Sequence, residues 1–202
     1  MRWVATERIP GLTPAPGGLA FVQDLLNSCS DGRQGARHRH EDLFSDIDSA
    51  RNWVREAGQA LGKARGVDLS PPDLPETDLA DLIGLRNELR LLVSGHTDDD
   101  DMESLPRLRS AQVTVAAISG PAFAALPRGR GWRWVASAVL AECFQAQQDG
   151  SWRRLKVCRN TACVAAFYDR TRNNSGVWHS VRSCGNPANL RASRARKRAS
   201  QA

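Results

Sequence analysis

Four residues near the C-terminus have the spacing of a metal site, because Cys158 and Cys163 form one close pair and His179 and Cys184 form a second. The pattern reads C-x4-C-x15-H-x4-C. A structural zinc ion takes four thiolate or imidazole ligands in a closed tetrahedron, and proteins usually supply them as two separated pairs. The pattern therefore predicts one structural zinc ion per chain. The alternative is that the cysteines are small buried core residues and His179 a hydrogen-bonded core histidine.

The segment between these pairs, residues 167–178, has the composition of a hairpin. Aromatic residues stand at both ends, and the run from Asn173 to Gly176 is typical of a turn. We expect this hairpin to bring His179 back beside the first cysteine pair. After the second pair, Asn186 and Pro187 are typical of a helix N-cap and first helical position. The predicted order is therefore knuckle, hairpin, second ligand pair and helix.

The C-terminal segment, residues 151–202, is called the finger below and carries a longer pattern than its four ligands. The pattern reads Cys158-x4-Cys163-x3-Phe167-x-Asp169-x-Thr171-Arg172-Asn173, then Trp178-His179, then Cys184-Gly185-Asn186. It resembles the CGNR zinc finger of bacterial proteins named as transcription regulators. Those proteins usually carry an N-terminal helical domain called ABATE. Residues 17–63 resemble that domain at Gly17-Gly18-Leu19-Ala20-Phe21-Val22, at Asp42-Leu43 and at Asn52-Trp53-Val54.

This resemblance implies a zinc-dependent transcription regulator that binds nucleic acid. Two positions depart from the pattern of the family. His179 stands where the family usually has cysteine, and zinc accepts either ligand. Pro187 stands where the family has the arginine of its name, so this chain lacks that positive charge.

The composition places the chain among soluble globular proteins. It has 202 residues, of which 41% are hydrophobic and 25% charged, which is enough for one large or two small domains. No run approaches the roughly 20 apolar residues that span a bilayer, and Met1 to Pro10 does not resemble a signal peptide. The five cysteines suit a reducing compartment better than a disulfide framework. We therefore expect a cytoplasmic protein, with Cys29 and Cys143 in the core.

The charge is divided unevenly along the chain. The finger has 12 Lys and Arg and one acid, which gives +11, whereas residues 1–150 have 16 against 21, which gives −5. The two sum to the net charge of +6. A basic segment of this density attracts phosphate by charge and counterion release, whatever the nucleotide sequence.

Apolar residues recur with helical period in three N-terminal segments. The first contains Leu19, Val22, Leu25 and Leu26; the second contains Leu43, Ile47, Ala50, Val54, Ala57 and Leu61; the third contains Leu82, Leu85, Leu89, Leu92 and Val93. We expect Asp78 to cap the third helix and Gly95 to end it. A further short helix is predicted within residues 103–109, and a long one from Trp132 or Trp134 to Asp149-Gly150.

Residues 112–126 allow two interpretations. Alternation at Val113, Val115 and Ala117 favours a strand, and Gly120-Pro121 is typical of a turn, which together indicate a small β-hairpin. The abundance of alanine favours a helix instead. The predicted fold class is mainly α: an N-terminal helical domain, residues 1–150, with this small hairpin, followed by a zinc-bound knuckle-hairpin-helix module, residues 151–202.

Three other groups of residues are better explained without a site. His38 and His40 have an H-x-H spacing, but in a polar loop beside arginines they indicate a solvated segment. Asp98 to Asp101 lacks the spaced ligands and the glycine of a calcium loop, so it is predicted to be a solvated loop. The alternative is that these acids dock on the basic C-terminal end of the finger. Trp132 and Trp134 open an apolar helix and are predicted to be core residues, although they could stack on bases.

The pattern does not favour an enzyme. Catalytic zinc keeps one position open for water, whereas four protein ligands close the shell, and the H-x-E with P-C-x-x-C pattern of zinc deaminases is missing. Asp169 is the only acid of the finger, and we expect it to form an ion pair or to support a zinc ligand rather than to catalyse.

The favoured function is nucleic-acid binding, with DNA as the expected partner. A helix after Pro187 would place arginines at i, i+3 and i+7 on one face, while the segment around the second ligand pair would extend the basic surface. Asn186 is the candidate for reading bases, and the arginines for contacting phosphates. The predicted contact residues are Arg170, Arg172, Arg182, Asn186, Arg191, Arg194 and Arg198.

Two other functions remain open at this stage. The finger could be a protein-interaction module with a purely structural zinc ion. It could also bind RNA, which stacking of Tyr168 or Trp178 on bases would favour. The helical domain could bind a small-molecule ligand or form a homodimer, and no membrane partner is expected.

Overall fold

The computed structural model describes residues 2–29, 41–95, 105–118, 123–160 and 163–199. Within these ranges it contains seven α-helices and two small antiparallel sheets. The helices are α1 (Val4–Glu7), α2 (Leu19–Leu26), α3 (Ile47–Arg65), α4 (Leu79–Ser94), α5 (Pro106–Ser110), α6 (Trp132–Gln148) and α7 (Asn186–Ala199). The strands are β1 (Val113–Ala117), β2 (Phe123–Pro127), β3 (Leu155–Val157) and β4 (Ala166–Tyr168). The predicted fold class, mainly helical with small hairpins, is confirmed.

Helix α2 lies at the centre of the protein, and all eight of its residues are buried. It packs against α3, α4 and α6 and also against β4 of the finger. The predicted apolar stripe contains only half of these eight buried residues. Gln23 and Asp24 are also fully buried, and each is hydrogen-bonded, Asp24 to the indole N–H of Trp53 at 2.8 Å.

Aromatic side chains fill the space around α2. The ring of Phe21 lies 5.6 Å from that of Trp53 and 6.4 Å from that of Trp134, the second contact being edge-to-face. Phe44 packs edge-to-face on Trp53 at 5.3 Å. Such pairs add about 0.5–1.5 kcal/mol to the free energy of burial. Trp132 and Trp134 are both buried, as the sequence predicts.

Helix α3 begins and ends at clear signals. The Asp46 side chain accepts the backbone N–H of Ser49 at 2.8 Å, and Gly66 ends the helix in the left-handed region with φ +64°. The predicted stripe is therefore correct from Ile47 onward, but Leu43 precedes the helix. The capping hydrogen bond of Asp46 sets the start of α3 at Ile47, and the spacing of apolar residues alone does not show where the helix begins.

Asp78 does not act as the predicted cap of α4. Its side chain makes no capping hydrogen bond there and instead accepts the backbone N–H of Trp132 at 3.2 Å, at the start of α6. The Asp78 carboxylate therefore accepts a hydrogen bond from the first turn of α6, 54 residues later in the sequence. At its other end α4 stops at Gly95 in the left-handed region, as expected.

The hairpin interpretation of residues 112–126 is confirmed. Strands β1 and β2 pair antiparallel, with Val113 opposite Pro127 and Ala117 opposite Phe123. The hairpin packs on α6, so tertiary contact favours strand pairing over the helix propensity of alanine. The predicted turn at Gly120-Pro121, the His38 to His40 segment and the Asp98 to Asp101 segment lie outside the described residues. None of the helices in the described ranges is long and apolar enough to cross a membrane.

The first part of the finger is built into the helical core. Leu155 of β3 and Ala166 of β4 are both buried in the main hydrophobic cluster. The buried side chain of Asn27, the residue directly after α2, accepts the N–H of Ala166 at 2.8 Å and donates to its carbonyl at 3.0 Å. Arg90 of α4 donates to the carbonyl of Val164 at 2.7 Å. The boundary at residue 150 remains a prediction, but packing continues across it.

Candidate metal centre and basic surface

The first two candidate ligands lie in the connection between β3 and β4. Cys158 follows β3 and donates its backbone N–H to the carbonyl of Ala165 at 2.9 Å, which continues the ladder of the hairpin. Cys163 donates its N–H to the carbonyl of Asn160 at 2.7 Å, and the N–H of Ala165 lies 3.5 Å from the Cys163 sulfur. Strand β3 therefore precedes the first cysteine pair and β4 follows it, whereas the prediction placed both strands of the hairpin between the two ligand pairs.

The segment that returns to the second pair is organised by a carboxylate and does not pair as a hairpin. Asp169 accepts the N–H groups of Thr171 at 2.9 Å and Gly176 at 2.7 Å, and forms an ion pair with Lys156 at 2.7 Å. A side chain at Gly176 would meet the Asp169 carboxylate at 2.7 Å, so this close approach requires glycine. The sequence-based expectation of an ion pair at Asp169 is confirmed.

These contacts keep Asp169 ionised. Burial alone would raise the pKa of the Asp169 carboxyl, but the hydrogen bonds from Lys156, Thr171 and Gly176 outweigh burial and hold that pKa well below its usual range. The loop then closes on the cysteine pair, because Arg159 donates its backbone N–H to the carbonyl of Val177 at 2.9 Å. His179 follows two residues later.

The second ligand pair lies on a helical entry to α7. Residues Val181–Gly185 form a single π-helical turn that leads into α7, and Ser180 precedes it as the N-cap, accepting the N–H of Ser183 at 3.1 Å. Asn186 is already helical and is therefore not the predicted N-cap. Pro187 has no N–H to donate to the carbonyl four residues earlier, so regular α-helical bonding begins only beyond it.

Trp178 and Gly185 position the second pair together. A side chain on Gly185 would lie 2.9 Å from Cδ1 of the Trp178 indole, so only glycine allows the ring to pack against this turn. Cys184, one residue earlier, is buried and donates its N–H to the carbonyl of Ser180 at 2.9 Å. The indole and the capped turn thus hold Cys184 toward the first pair.

The four predicted ligands converge. The ligand atoms of Cys158, Cys163, His179 and Cys184 all lie within 4.8 Å of one another. His179 Nδ1 is 3.4 Å from the Cys163 sulfur and 3.5 Å from the Cys184 sulfur. Tetrahedral zinc with Zn–S distances of about 2.3 Å and Zn–N distances of about 2.0 Å has S···N edges of about 3.5 Å. The donor set and its geometry fit one structural zinc ion, with Nδ1 as the histidine ligand atom.

The thiol groups need a cation to ionise together. A hydrogen bond from the Cys163 thiol lowers the pKa of Cys158 to about 4 and raises the pKa of Cys163 itself. Burial raises the pKa of the Cys184 thiol. One thiolate is thus stable among the three, whereas a divalent zinc ion stabilises all of them, since thiolate is the form that binds metal.

Two comparisons with known protein families agree with this geometry. Residues 154–197 match the CGNR zinc finger. Residues 19–162 match ABATE, described as "Putative stress-induced transcription regulator". The chain belongs to the ABATE family. The ABATE match runs through β3 and the first cysteine, which agrees with the packing of the finger's strands on the helical core. A comparison with the curated proteins finds no match.

The predicted contact residues of this ABATE protein fall into three groups. The first group is exposed, and its side chains form no hydrogen bond or ion pair with the described residues; it contains Arg172, Arg182, Asn186 and Arg194. Arg170 and Arg191 are exposed but hydrogen-bonded to other parts of the chain. The backbone of Arg198 lies in α7, and its side chain lies outside the described residues.

The two hydrogen-bonded arginines connect the finger internally and to the helical core. Arg170 donates to the Thr13 hydroxyl at 3.3 Å and the Pro14 carbonyl at 2.8 Å. Arg191 donates to the buried Asn160 side chain at 2.7 Å. Sequence period places Arg191 on the same face as Arg194 but does not show that a buried amide lies beneath it.

Several basic residues were missed by the sequence-based reasoning. Arg153, Arg159 and Arg196 are exposed and belong to the same basic segment. The one sequence signal for these arginines is that they lie in the segment that contains a single acid. The role of Asn27, which bonds to the β4 backbone, leaves no such signal because its partner lies 139 residues away.

Proposed function

We propose that the chain is a DNA-binding transcription regulator of the cytoplasm whose basic finger contacts phosphates. One observation carries this proposal: the single acid of the finger, Asp169, is buried and paired with Lys156. Besides Lys156 and Lys197, the 12 cations of the finger comprise ten arginines, and the finger has no second acidic side chain. Positive charge of this density favours polyanion binding.

The zinc ion in this proposal is structural and the protein is not an enzyme. Four protein ligands close the coordination shell, so there is no position for a metal-bound water. The ion holds the loop of the first cysteine pair against the turn that begins α7. The exposed arginines at the return segment and on α7 therefore keep a fixed spacing when metal is bound.

The exposed members of the predicted set suit backbone contact. Arg172 precedes the second ligand pair, Arg182 lies between its two members, and Arg194 lies two turns into α7. Asn186 is exposed at the first position of α7, where a side chain could reach a base edge while the arginines contact phosphates.

The aromatic side chains favour duplex DNA over single-stranded RNA. Arg170 lies over the ring of Tyr168, with its guanidinium carbon 5.5 Å from the ring centroid. Trp178 packs against Gly185. These contacts compete with stacking on an unpaired base, which is the usual means of recognising single strands.

Salt-dependent binding tests the proposal. Binding of the zinc-loaded chain to duplex DNA, single-stranded DNA and RNA is measured between about 50 and 200 mM salt. Replacing Arg172, Arg182 and Arg194 together by alanine should weaken binding to all sequences and flatten the salt slope by up to about 0.9 log units per lost B-DNA contact.

The control variant removes three exposed cations of the helical part, Arg55, Lys63 and Arg130. It should keep the parent's affinity within about twofold, because these residues lie outside the finger. Equal losses in both triple variants would show that only net charge matters. Absence of binding by the parent at low salt would exclude nucleic-acid binding.

A protein-interaction function is the second candidate, since apolar side chains interrupt the basic segment. Val181 is 65% exposed and Leu190 is 51% exposed. A contiguous exposed apolar patch rimmed by polar residues is typical of a partner surface. If Val181→Ser with Leu190→Ser abolishes capture of a partner while DNA binding is unchanged, the finger has this second function.

We also propose that the helical part forms a homodimer, which would present two fingers to DNA. The outer face of the β1–β2 hairpin is apolar, and Val115 and Phe123 are 71% and 75% exposed. Sedimentation of the parent and of a Phe123→Ser variant tests this directly, since a dimer through this face should dissociate on substitution.

A further inference from the structure

A cavity lies at the N-terminal end of α6, well before the finger in sequence. It has a volume of about 220 Å³ and is bounded on one side by the segment between α5 and β1 and on the other by the segment between β2 and α6. The second wall carries the sequence Arg128-Gly129-Arg130-Gly131-Trp132-Arg133. Arg128 and Arg133 both line the cavity, whereas Arg130 does not.

The two walls are joined by one buried hydroxyl. Ser137 of α6 is fully buried and donates to the carbonyl of Gln112 on the first wall. The same oxygen accepts the backbone N–H of Arg128 on the second wall at 2.8 Å. Because both walls are fixed to α6 at this point, the cavity is formed in advance of any ligand.

One carboxylate, that of Asp78, reaches the second wall, and among the described residues it binds the backbone N–H of Trp132 and forms no ion pair. In the helical part, Arg65 pairs with Glu142 at 2.8 Å, Arg86 with Asp42 at 2.7 Å and Arg107 with Glu88 at 3.0 Å. Arg128 and Arg133 form no ion pair with any described residue, and no carboxylate of the described residues lines the cavity. The helical part is acidic overall, so two unpaired guanidinium groups in one cavity are not explained by its general composition.

The helix N-terminus is not the source of this charge. Asp78 already accepts the N–H of Trp132 at 3.2 Å, and this carboxylate compensates the positive end of α6. The attraction for an anion therefore comes from the side chains of Arg128 and Arg133. The Arg133 guanidinium also lies over the Trp132 indole, 4.7 Å from the ring centroid, which limits its freedom.

Apolar side chains line the cavity beside the polar residues Ser110 and Gln112. Trp132 and Ala136 are buried and Ala111 is half-buried. The volume is below the roughly 300–1,000 Å³ of pockets for drug-sized ligands, so it suits a smaller molecule. A few charged groups that fix orientation beside apolar walls are the usual arrangement of a ligand pocket.

We propose that this cavity binds a small organic anion, with its carboxylate or phosphate on Arg128 and Arg133 and its apolar body against Trp132 and Ala136. Guanidinium groups bind both kinds of anion through paired N–H donors, so the two share one chemistry. This site lies in the helical part and does not depend on whether the finger binds nucleic acid.

Calorimetric titration of the zinc-loaded chain with benzoate, phenyl phosphate and benzamide tests the proposal. Benzoate, phenyl phosphate or both should show saturable binding, and the anion that binds identifies the head group. Benzamide has the shape of benzoate without its charge and should bind at least tenfold more weakly, because a charged acceptor makes stronger hydrogen bonds to guanidinium than a neutral one. NMR shifts of the Gln112 and Gly129 amides place the ligand.

Substitutions distinguish anion binding in the cavity from attraction of the anion to positive charge in general. Arg128→Gln with Arg133→Gln should weaken anion binding at least tenfold, whereas Arg130→Gln in the same loop should leave it within about twofold of the parent. Circular dichroism melting checks that each variant folds. If the double variant does not fold, amide shifts in the parent that spare Gln112 and Gly129 would still overturn the proposal.

Four results contradict the site: no saturable binding of either anion at millimolar concentration, equal binding of benzamide, unchanged binding in the double variant, or displacement of the anion by duplex DNA. The last would assign these arginines to a nucleic-acid surface.

Discussion

Arg191 of α7 donates to the side-chain oxygen of Asn160 at 2.7 Å and so joins the last helix to the loop of the first cysteine pair. Asn160 is buried, and its side chain also hydrogen-bonds the Cys184 sulfur. One amide therefore contacts a metal ligand on one side and the helix on the other. This relationship separates Arg191 from Arg172, Arg182 and Arg194, because its guanidinium already has a partner inside the protein.

Arg191→Ala should weaken zinc binding more than it changes the salt dependence of DNA binding. Loss of the hydrogen bond takes a charged donor from the buried Asn160 side chain, at a cost of about 1–3 kcal/mol. Competition with a chelator measures zinc affinity, and we expect a loss of at least fivefold. Arg194→Ala, three residues later on the same helix, is the matched control and should lower the salt slope with little change in zinc affinity. The reverse pattern would contradict this assignment.

The purified chain should contain one zinc ion, bound by Cys158, Cys163, His179 and Cys184. Cys163→Ser and Cys184→Ser should each lose the metal, as measured by elemental analysis, because serine is a poor zinc ligand. Cys143→Ser, at a cysteine outside the cluster, should keep one zinc per chain. Full zinc content in both ligand variants would refute the site.

Chelation should affect the two halves of the finger differently. Zinc binding in such modules contributes on the order of 10 kcal/mol to folding, so the turn at Val181–Gly185 and α7 should lose protection from hydrogen exchange. Strands β3 and β4 should keep theirs, because Leu155 and Ala166 are buried in the helical core and Asn27 bonds the β4 backbone. Equal loss of protection in β4 and α7 would show that the metal alone holds the finger.

Asn27→Ala should destabilise the whole protein. Its side chain satisfies both the N–H and the carbonyl of Ala166, and leaving a buried polar group unpaired costs about 1–3 kcal/mol. Gln23 also donates to that carbonyl, at 3.2 Å, so the loss falls mainly on the N–H. Urea unfolding should show a fall of about 1–3 kcal/mol. Asn52→Ala, at an exposed position of α3, should change the unfolding free energy by less than about 0.5 kcal/mol.

The stability of the finger should fall in acid partly through Asp169. The pKa of this carboxyl is lower in the folded chain than in the unfolded chain, where it is about 3.9. Its contribution is therefore complete above about pH 4 to 5 and is lost as the pH falls toward the folded-state pKa. Unfolding by urea from pH 7 to about pH 3 should show a steeper loss in the parent than in Asp169→Asn.

The control for this pH series is Asp68→Asn, at an exposed carboxylate of the helical part. It should follow the parent at every pH. Protonation of the zinc ligands affects all three proteins alike, so the difference between parent and Asp169→Asn isolates the carboxylate. Parallel curves for these two proteins would show that Asp169 does not supply the acid-sensitive stability.

The amino-acid sequence by itself determined the features that depend on nearby residues. Ligand type and pairing identified the four metal ligands, apolar period identified α2 and most of α3 and α4, and alternation made the β1–β2 hairpin one of two interpretations. Each of these signals is local in the sequence, as spacing and periodicity are. The separation of charge is also a property of sequence alone, summed over the two parts of the chain.

Tertiary structure alone decided the features whose partners are distant in sequence. Asp78 caps α6 in place of α4, Arg191 binds Asn160 in place of being free for phosphate, and Asn27 supplies the bonding partner of β4. In each case a buried or terminal backbone or amide group needs a hydrogen-bond partner, and the folded chain supplies one from far along the sequence. A side chain's own neighbours in sequence do not reveal which distant group it will satisfy, so these roles become visible only when the elements are packed together.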